Sequence, residues 1–306
     1  MMKQILYSIT GVIIAFCIID STGGFVCGQL YHNAKYSLFA RQNYVLNESE
    51  DDILIIGSSR AAHHYIPSII EDSLGLSCYN AGSDGMCIYY HYALLSSMIE
   101  RGHMPKMVVC EVMETDIVSS NSATFSLDAA VSRLAPEFGK YAAVDSLIAL
   151  KGYTEMVYMH SALYRYNSQI VQLLRCNYSP QADDKGYERL DGIFLQKNNI
   201  AKNSVSDETL RIEKGKLECI KQLIKLCKNN GIALMFVYSP TNIDVNKEAV
   251  KVVMKIAQLE YIPFHNFYNN VVFCSNELFK DGSHLNHSGA TLFTKLIVKK
   301  IKDIYN

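Results

Sequence analysis

From Asp51 onward, short apolar runs rich in β-branched residues alternate with longer stretches in which apolar positions recur every three or four residues. That rhythm is how the strands and crossover helices of a parallel sheet read in sequence. Five runs qualify as strands. They are Ile53 to Ile56, ending at Gly57; Ser77 to Ala81, ending at Gly82; Met107 to Val112, ahead of Glu114-Thr115-Asp116; Ile232 to Tyr238, stopping at Ser239-Pro240; and a short one, Ile262 to Phe267. In the first, third and fourth, apolar residues occupy both parities, as in strands covered by helices on both faces. Helices are predicted over Pro67 to Leu74, Ile88 to Arg101, Asp207 to Asn229, Val245 to Leu259 and Thr291 to Tyr305. In the last of these, Leu292, Phe293, Leu296, Ile297 and Ile301 recur at helical spacing with lysines opposite, the mark of a helix with one buried face. The predicted class is α/β, a three-layer α/β/α domain on a five-stranded parallel sheet.

Two stretches break the rhythm. Residues from Ser119 to about Ser206 are too many for a crossover and carry Tyr141, Tyr153, Tyr158, Tyr164, Tyr166, Tyr178 and Tyr187. They read as a helical insertion, either packing its tyrosines on the sheet or capping a substrate groove, since tyrosine suits both core and polar recognition. At the N-terminus, Lys3 precedes an apolar run from Ile5 to Ile19 that ends at Asp20-Ser21-Thr22-Gly23-Gly24. A helix over that run covers about 22 Å at ~1.5 Å per residue, short of a hydrocarbon core of about 30 Å unless it continues through Asp20 to Cys27. Positive charge before the run and Asp20 after it favour a cytoplasmic N-terminus and an exported body. The competing reading is the buried first helix of a soluble domain. Residues 1–27 are therefore expected to be a signal peptide or membrane anchor, cleavable at the small residues 21–24, ahead of a domain over 51–306. Phe16 and Val26 are too bulky for lipoprotein cleavage at Cys17 or Cys27.

Composition narrows the classes. The 306 residues are 49% hydrophobic and 19% charged, with 17 Gly and 6 Pro, which excludes a disordered or low-complexity chain. Lys plus Arg total 29 against 30 Asp plus Glu, so no excess positive charge is available for nucleic acid. Nine Cys, an odd number with no C-x-x-C, indicate neither a complete disulfide framework nor a zinc knuckle.

In an open parallel sheet ligands bind beyond the carboxyl ends of the strands, so the residues just after each strand carry the candidate chemistry. After the first comes Gly57-Ser58-Ser59-Arg60-Ala61, a small-residue turn into a helix that can expose a serine oxygen, or merely cap the helix. After the second comes Asn80-Ala81-Gly82-Ser83-Asp84-Gly85, where glycine permits close backbone approach. Near the C-terminus, Asp281-Gly282-Ser283-His284-Leu285-Asn286-His287-Ser288-Gly289 sets an Asp three residues before a His, a spacing that lets the carboxylate hold one imidazole nitrogen and leaves the other to take a serine proton. His63, His64 and His91 read as helix-face histidines, His287 as a solvent-facing alternative base, and an Asp281, His284, His287 metal site as the minor alternative.

These blocks resemble the SGNH, or GDSL-type, hydrolase superfamily over most of the chain after Asp51, the insertion excepted. The resemblance implies a flavodoxin-like three-layer fold, Ser59 as nucleophile with Ser58 where the family often has Asp, Gly82 after Asn80 as the oxyanion glycine, and Asp281 with His284, followed by Asn286 and Gly289, as the last block. The third block departs from it. Met113-Glu114-Thr115-Asp116 stands where the family often has Gly-x-Asn-Asp, so Thr115 offers one hydroxyl in place of an amide, and one lost oxyanion donor costs on the order of 100- to 1000-fold in rate. In its Gly-Ser-Ser-Arg opening the chain is similar to divergent cell-envelope members, relatives of alginate O-acetylation proteins and of teichoic-acid D-alanylation esterase-like proteins.

The expected site is accordingly a Ser59, His284, Asp281 triad, with Ser59, Gly82 and Thr115 as oxyanion donors and Arg60 and Asn80 contacting substrate. Such a site calls for no metal and no organic cofactor. The implied activity is hydrolysis of acyl esters on envelope carbohydrate. The alternatives are O-acetyl transfer to a cell-surface polysaccharide, or a non-catalytic glycan-binding or assembly protein with a vestigial triad. The expected place is outside the cytoplasm, secreted or held at the membrane by the N-terminal segment.

Overall fold

In the computed structural model, residues 2–119, 122–180, 184–195, 211–243 and 247–305 are described. The chain begins with α1 (Met2–His32) and α2 (Ser37–Asn47), then runs β1 (Ile53–Ile56), α3 (Ser59–His64), α4 (Pro67–Leu74), β2 (Cys78–Asn80), α5 (Ile88–Glu100) and β3 (Met107–Glu111). Four short helices follow, α6 (Leu127–Leu134), α7 (Ala142–Ala149), α8 (Tyr153–Tyr158) and α9 (Ile170–Tyr178). Then come α10 (Lys214–Asn229), β4 (Ala233–Tyr238), α11 (Lys247–Leu259), β5 (Phe264–Asn266) and α12 (His287–Tyr305). Residues 207–210 and 245–246, where two helices were expected to begin, lie outside the described residues.

The strands pair in parallel in the order β2-β1-β3-β4-β5. Side-chain parity assigns each strand residue to a layer. Leu54, Ile56, Val108, Cys110, Leu234 and Phe236 face one core with Leu94 of α5, Leu223 of α10 and Val253 of α11. Ile53, Ile55, Met107, Val109, Met235 and Val237 face the other with Ile70 of α4 and Phe293, Ile297 and Ile301 of α12. The predicted three layers and five strands are the observed ones, each strand within one or two residues of its expected ends. The order reverses between β1 and β3, which opens the crevice where ligands bind in such sheets.

The helices α6 to α9 form the insertion. Its two ends meet, because Val118 bridges Ile212 antiparallel and the buried Lys216 donates to the carbonyls of Val118 and Phe125, both at 2.8 Å. Of the tyrosines, Tyr141, Tyr166 and Tyr187 are buried, and Tyr153, Tyr158 and Tyr178 are exposed.

The helix α1 runs unbroken through Asp20 and Gly24. Its first part, through Ile19, is exposed; beyond it one face, carrying Gly24, Cys27 and Tyr31, is buried against the domain while Phe25 and Val26 stay exposed. The Asp20 carboxylate accepts the Ala162 and Leu163 amides at 2.9 and 3.1 Å. Gly24 lies so close to Ala162 that a Cβ would come within 2.4 Å of it, which is why a small residue stands there. Cys27 and the fully buried Tyr31 pack with Phe39, Tyr166, Leu173 and Cys176. Cys17 and Cys274 are exposed, and the other cysteines are buried free thiols.

Candidate active site

Gly57 ends β1 with φ +142, where glycine is favoured, and a Cβ there would meet Glu111 O at 2.7 Å. The chain can therefore turn sharply past β3 and start α3 with Ser59 at its first position. The amide of that position has no intrahelical carbonyl to bond. Ser58, just before, is buried and makes no capping bond, so the turn owes its shape to Gly57 rather than to a capping serine.

Across the crevice, the loop before α12 carries the other two members. Ser59 Oγ lies 2.8 Å from His284 Nε2, and His284 Nδ1 lies 3.0 Å from both carboxylate oxygens of Asp281. Asp281 Oδ1 also accepts the Ser283 and His284 amides at 2.8 and 3.0 Å. Partial burial pushes the Asp281 carboxyl up, but these amides and the imidazole outweigh it and hold the group below its ordinary value. An ionised carboxylate on Nδ1 fixes that proton and leaves the Nε2 lone pair toward the serine. The loop is pinned by Asn286, whose amide donates to Glu277 O at 2.6 Å and Gly192 O at 2.8 Å while its oxygen caps α12 at the Gly289 amide, 3.0 Å away. His287 bonds Tyr187 through Nδ1 at 3.0 Å, outside the triad.

A second, buried chain of bonds supports the base. The Leu285 N–H, next to His284, donates to His64 Nε2 at 2.9 Å. An amide can only donate, so His64 carries its proton on Nδ1 and gives it to Ser239 Oγ at 2.9 Å; that hydroxyl then donates to Glu111 Oε1 at 2.7 Å. Tyr65 O–H closes the chain on Glu111 Oε2. Burial pushes His64 well below its ordinary value, which keeps it neutral for this role. Burial also pushes Glu111 up to about 7, against the pull of Arg60, Tyr65 and Ser239. His64 is thus a buried positioning residue, not the helix-face histidine expected. Ser239 ends β4 and was within reach of the rule that reads residues after strands; Glu111, inside β3, gave no such signal.

Because Glu111 is raised when folded, its contribution to stability is full below pH about 4.5 and is lost as pH rises through about 7. Glu111→Gln is expected to flatten that part of the stability profile, read as denaturation midpoints of the full chain in detergent between pH 4.5 and 8.

Three expected roles are corrected. Asn80 is fully buried; its amide donates to Ala61 O at 2.7 Å and Tyr65 O at 2.9 Å, tying the end of β2 to α3 rather than meeting substrate. Its oxygen accepts the Gly82 N–H at 2.9 Å, which commits that amide within its own turn and removes it as an oxyanion donor. Gly82 is needed for another reason, since a Cβ would stand 2.3 Å from the backbone nitrogen of Ala62 in α3. Gly82→Ala is expected to cost about 3 kcal/mol and to lower turnover with it, because backbone cannot yield as a side chain does; thermal unfolding beside an activity assay reads both. Arg60 is 1% exposed, its guanidinium 4.9 Å from the Tyr238 ring and near Glu114, so it lies beneath the crevice and not on its wall. Thr115, in the turn after β3, has a buried hydroxyl with no partner among the described residues.

Other histidines lie nearby or deeper. His91 is buried, and burial, against the pull of the Met86 backbone, pushes it down to about 3. His63 donates from Nδ1 to Glu188 O at 2.7 Å and faces Asp84 through Nε2 at 3.4 Å. His63, Asp84 and Glu188 are close enough to share a metal ion. However, the Arg41 guanidinium already holds Glu188 at 2.7 Å, placing a positive charge beside the position a cation would take.

No protein-family model matches the chain, and no curated protein matches it. Solved structures do. A protein designated lipolytic and of the G-D-S-L family, from Desulfitobacterium hafniense, is 9% identical with a TM-score of 0.43, over 81% of this chain and 99% of that one. A protein designated an acylhydrolase, from Bacteroides fragilis, is 14% identical with a TM-score of 0.42, over 85% of this chain and 90% of that one.

Proposed function

We propose that this chain is a serine-dependent acyl-ester hydrolase of the SGNH type, acting on acylated carbohydrate at the cell envelope. The observation that carries the reading is the 2.8 Å contact of Ser59 Oγ with an imidazole whose other nitrogen rests on Asp281. His284 Nε2 takes the hydroxyl proton as Ser59 Oγ bonds to the ester carbonyl carbon, and the carbonyl electron pair moves onto oxygen. The Ser59 N–H, at the first position of α3, is the donor assigned to that oxyanion. When the tetrahedral species collapses, the bond to the alcohol breaks and the departing oxygen takes the proton from His284. Water, deprotonated by His284, then bonds to the acyl-serine carbonyl carbon; the bond to Ser59 Oγ breaks, Oγ takes the proton back from His284, and the acid leaves. A sugar hydroxyl in place of water makes the same steps an O-acyl transfer.

The helix α1 is long and apolar enough for a span, and its exposed part, Met2 to Ile19, covers about 27 Å of it at ~1.5 Å per residue. In this reading α1 is a retained anchor and not a cleaved signal, because Gly24, Cys27 and Tyr31 belong to the packed domain. The test is release of acetate from 4-nitrophenyl acetate and from acetylated sugars by the full chain in detergent. Release above the uncatalysed rate is the expected result; none with any ester removes the hydrolase reading.

A further inference from the structure

Where α6 and α9 of the insertion face α2 and the turn after β2, they enclose a cleft of about 220 Å³. Three arginines line it, Arg41, Arg133 and Arg175, with Asp84, Glu188 and Gln172. The two carboxylates are already engaged: Glu188 Oε1 by Arg41 Nη2 at 2.7 Å, and Asp84 Oδ1 opposite His63 Nε2 at 3.4 Å. Arg41 spends a further donor on Gly186 O at 3.1 Å. Arg133 makes its direct contacts to neutral groups, donating to the Ser83 hydroxyl at 3.1 Å and lying over the Phe39 ring with its centroid 5.8 Å away, while the charges of Arg41 and Asp84 act on it from across the cleft. Among the described residues, neither Arg133 nor Arg175 has a carboxylate within ion-pair distance. A half-buried guanidinium without a counter-charge, beside two more arginines, is an electrostatic vacancy for an anion, and its planar fork matches carboxylate and phosphate oxygens.

The lining of the cleft is linked to the triad by two sets of contacts. Ser83, which holds Arg133, directly follows Gly82 in the turn packed on α3. Asp84 meets His63, whose ring stands edge-on to that of His284 with centroids 5.5 Å apart. The volume falls short of the ~300 Å³ at which sites for drug-sized ligands begin, so it suits one small charged group rather than a length of polymer.

We propose that this cleft is an anion subsite, which takes a carboxylate or phosphate on the sugar unit that presents its ester to Ser59. The inference rests on the proposed hydrolase reading and specifies its substrate as an anionic acylated glycan. Arg133 and Arg175 supply the charge. Arg41, clamped by Glu188, shapes the wall.

The test is calorimetric titration of the full chain in detergent with D-glucuronate, inorganic phosphate and, as the neutral control, D-glucose, using wild type, Arg133→Gln and Arg175→Gln. Arg175 is exposed on α9, so its variant keeps the fold even where Arg133→Gln does not. The expected result is binding of at least one anion and not of glucose, weakened about tenfold or more in each folded variant; which anion binds distinguishes uronate from phosphate. Absence of anion binding by wild type, or undiminished binding by Arg175→Gln, overturns the subsite. Turnover of 4-nitrophenyl acetate and of acetylated sugars is read on the wild type in parallel. Anion binding without turnover upholds the subsite and removes the hydrolase reading, whereas turnover without anion binding removes only the subsite.

Discussion

Ser59→Ala is expected to lower turnover of 4-nitrophenyl acetate by about 10⁴-fold or more, His284→Ala by a similar factor, and the double variant by little beyond either. The reason lies in the contacts. Ser59 Oγ reaches no base but His284 Nε2 among its described hydrogen bonds, and the alkoxide it must become is inaccessible at neutral pH without that transfer. Asp281→Asn is expected to cost about 10³–10⁴-fold, because an amide on Nδ1 can hold the wrong tautomer and turn the Nε2 proton toward the serine. The Ser59 N–H survives all three changes, so a small residual rate above water belongs to the oxyanion site. Steady-state kinetics of the four variants decide it. Turnover retained by Ser59→Ala means the contact is vestigial, which is the expectation of a glycan-binding or assembly protein.

The second large effect concerns where the domain begins. A fragment starting at Asp20 is expected to fold and to remain soluble without detergent, since it discards only the exposed apolar part of α1. A fragment starting at Ser37 loses Tyr31, which is fully buried, donates to Glu137 Oε1 at 2.7 Å and accepts from Gln42 Nε2 at 2.7 Å. Removing an aromatic residue from a core costs about 3–5 kcal/mol, and here it also strips a buried carboxylate of its donor. The longer truncation is therefore expected to unfold about 10 °C lower, or not to fold. Thermal unfolding of the two fragments measures the difference. Equal midpoints would mean that α1 serves the domain only as a tether.

Much of the architecture was legible because the features that encode it are local. Apolar residues at both parities in β1, β3 and β4 stated that both sheet faces are covered, and the spacing of Phe293, Ile297 and Ile301 stated which face of α12 is buried. The Asp281-to-His284 spacing was equally local, because three residues of loop suffice to fold a carboxylate back onto an imidazole. Gly82 was legible as a close approach, though not what it approaches.

What the tertiary structure decided involves partners far apart in the chain. Ser59 and His284 are 225 positions apart, and only the reversal of strand order between β1 and β3 brings their loops to one crevice. Burial reassigned the polar residues around them. Asn80 and Gly82 satisfy each other inside a packed turn, Arg60 lies under the site, and His64 supports the base instead of facing water. A buried polar group must find a partner, and which one it finds is fixed by packing that no window of sequence contains. The same holds for α1: its hydropathy described a span, while the docking of Gly24, Cys27 and Tyr31 made its second half part of the domain.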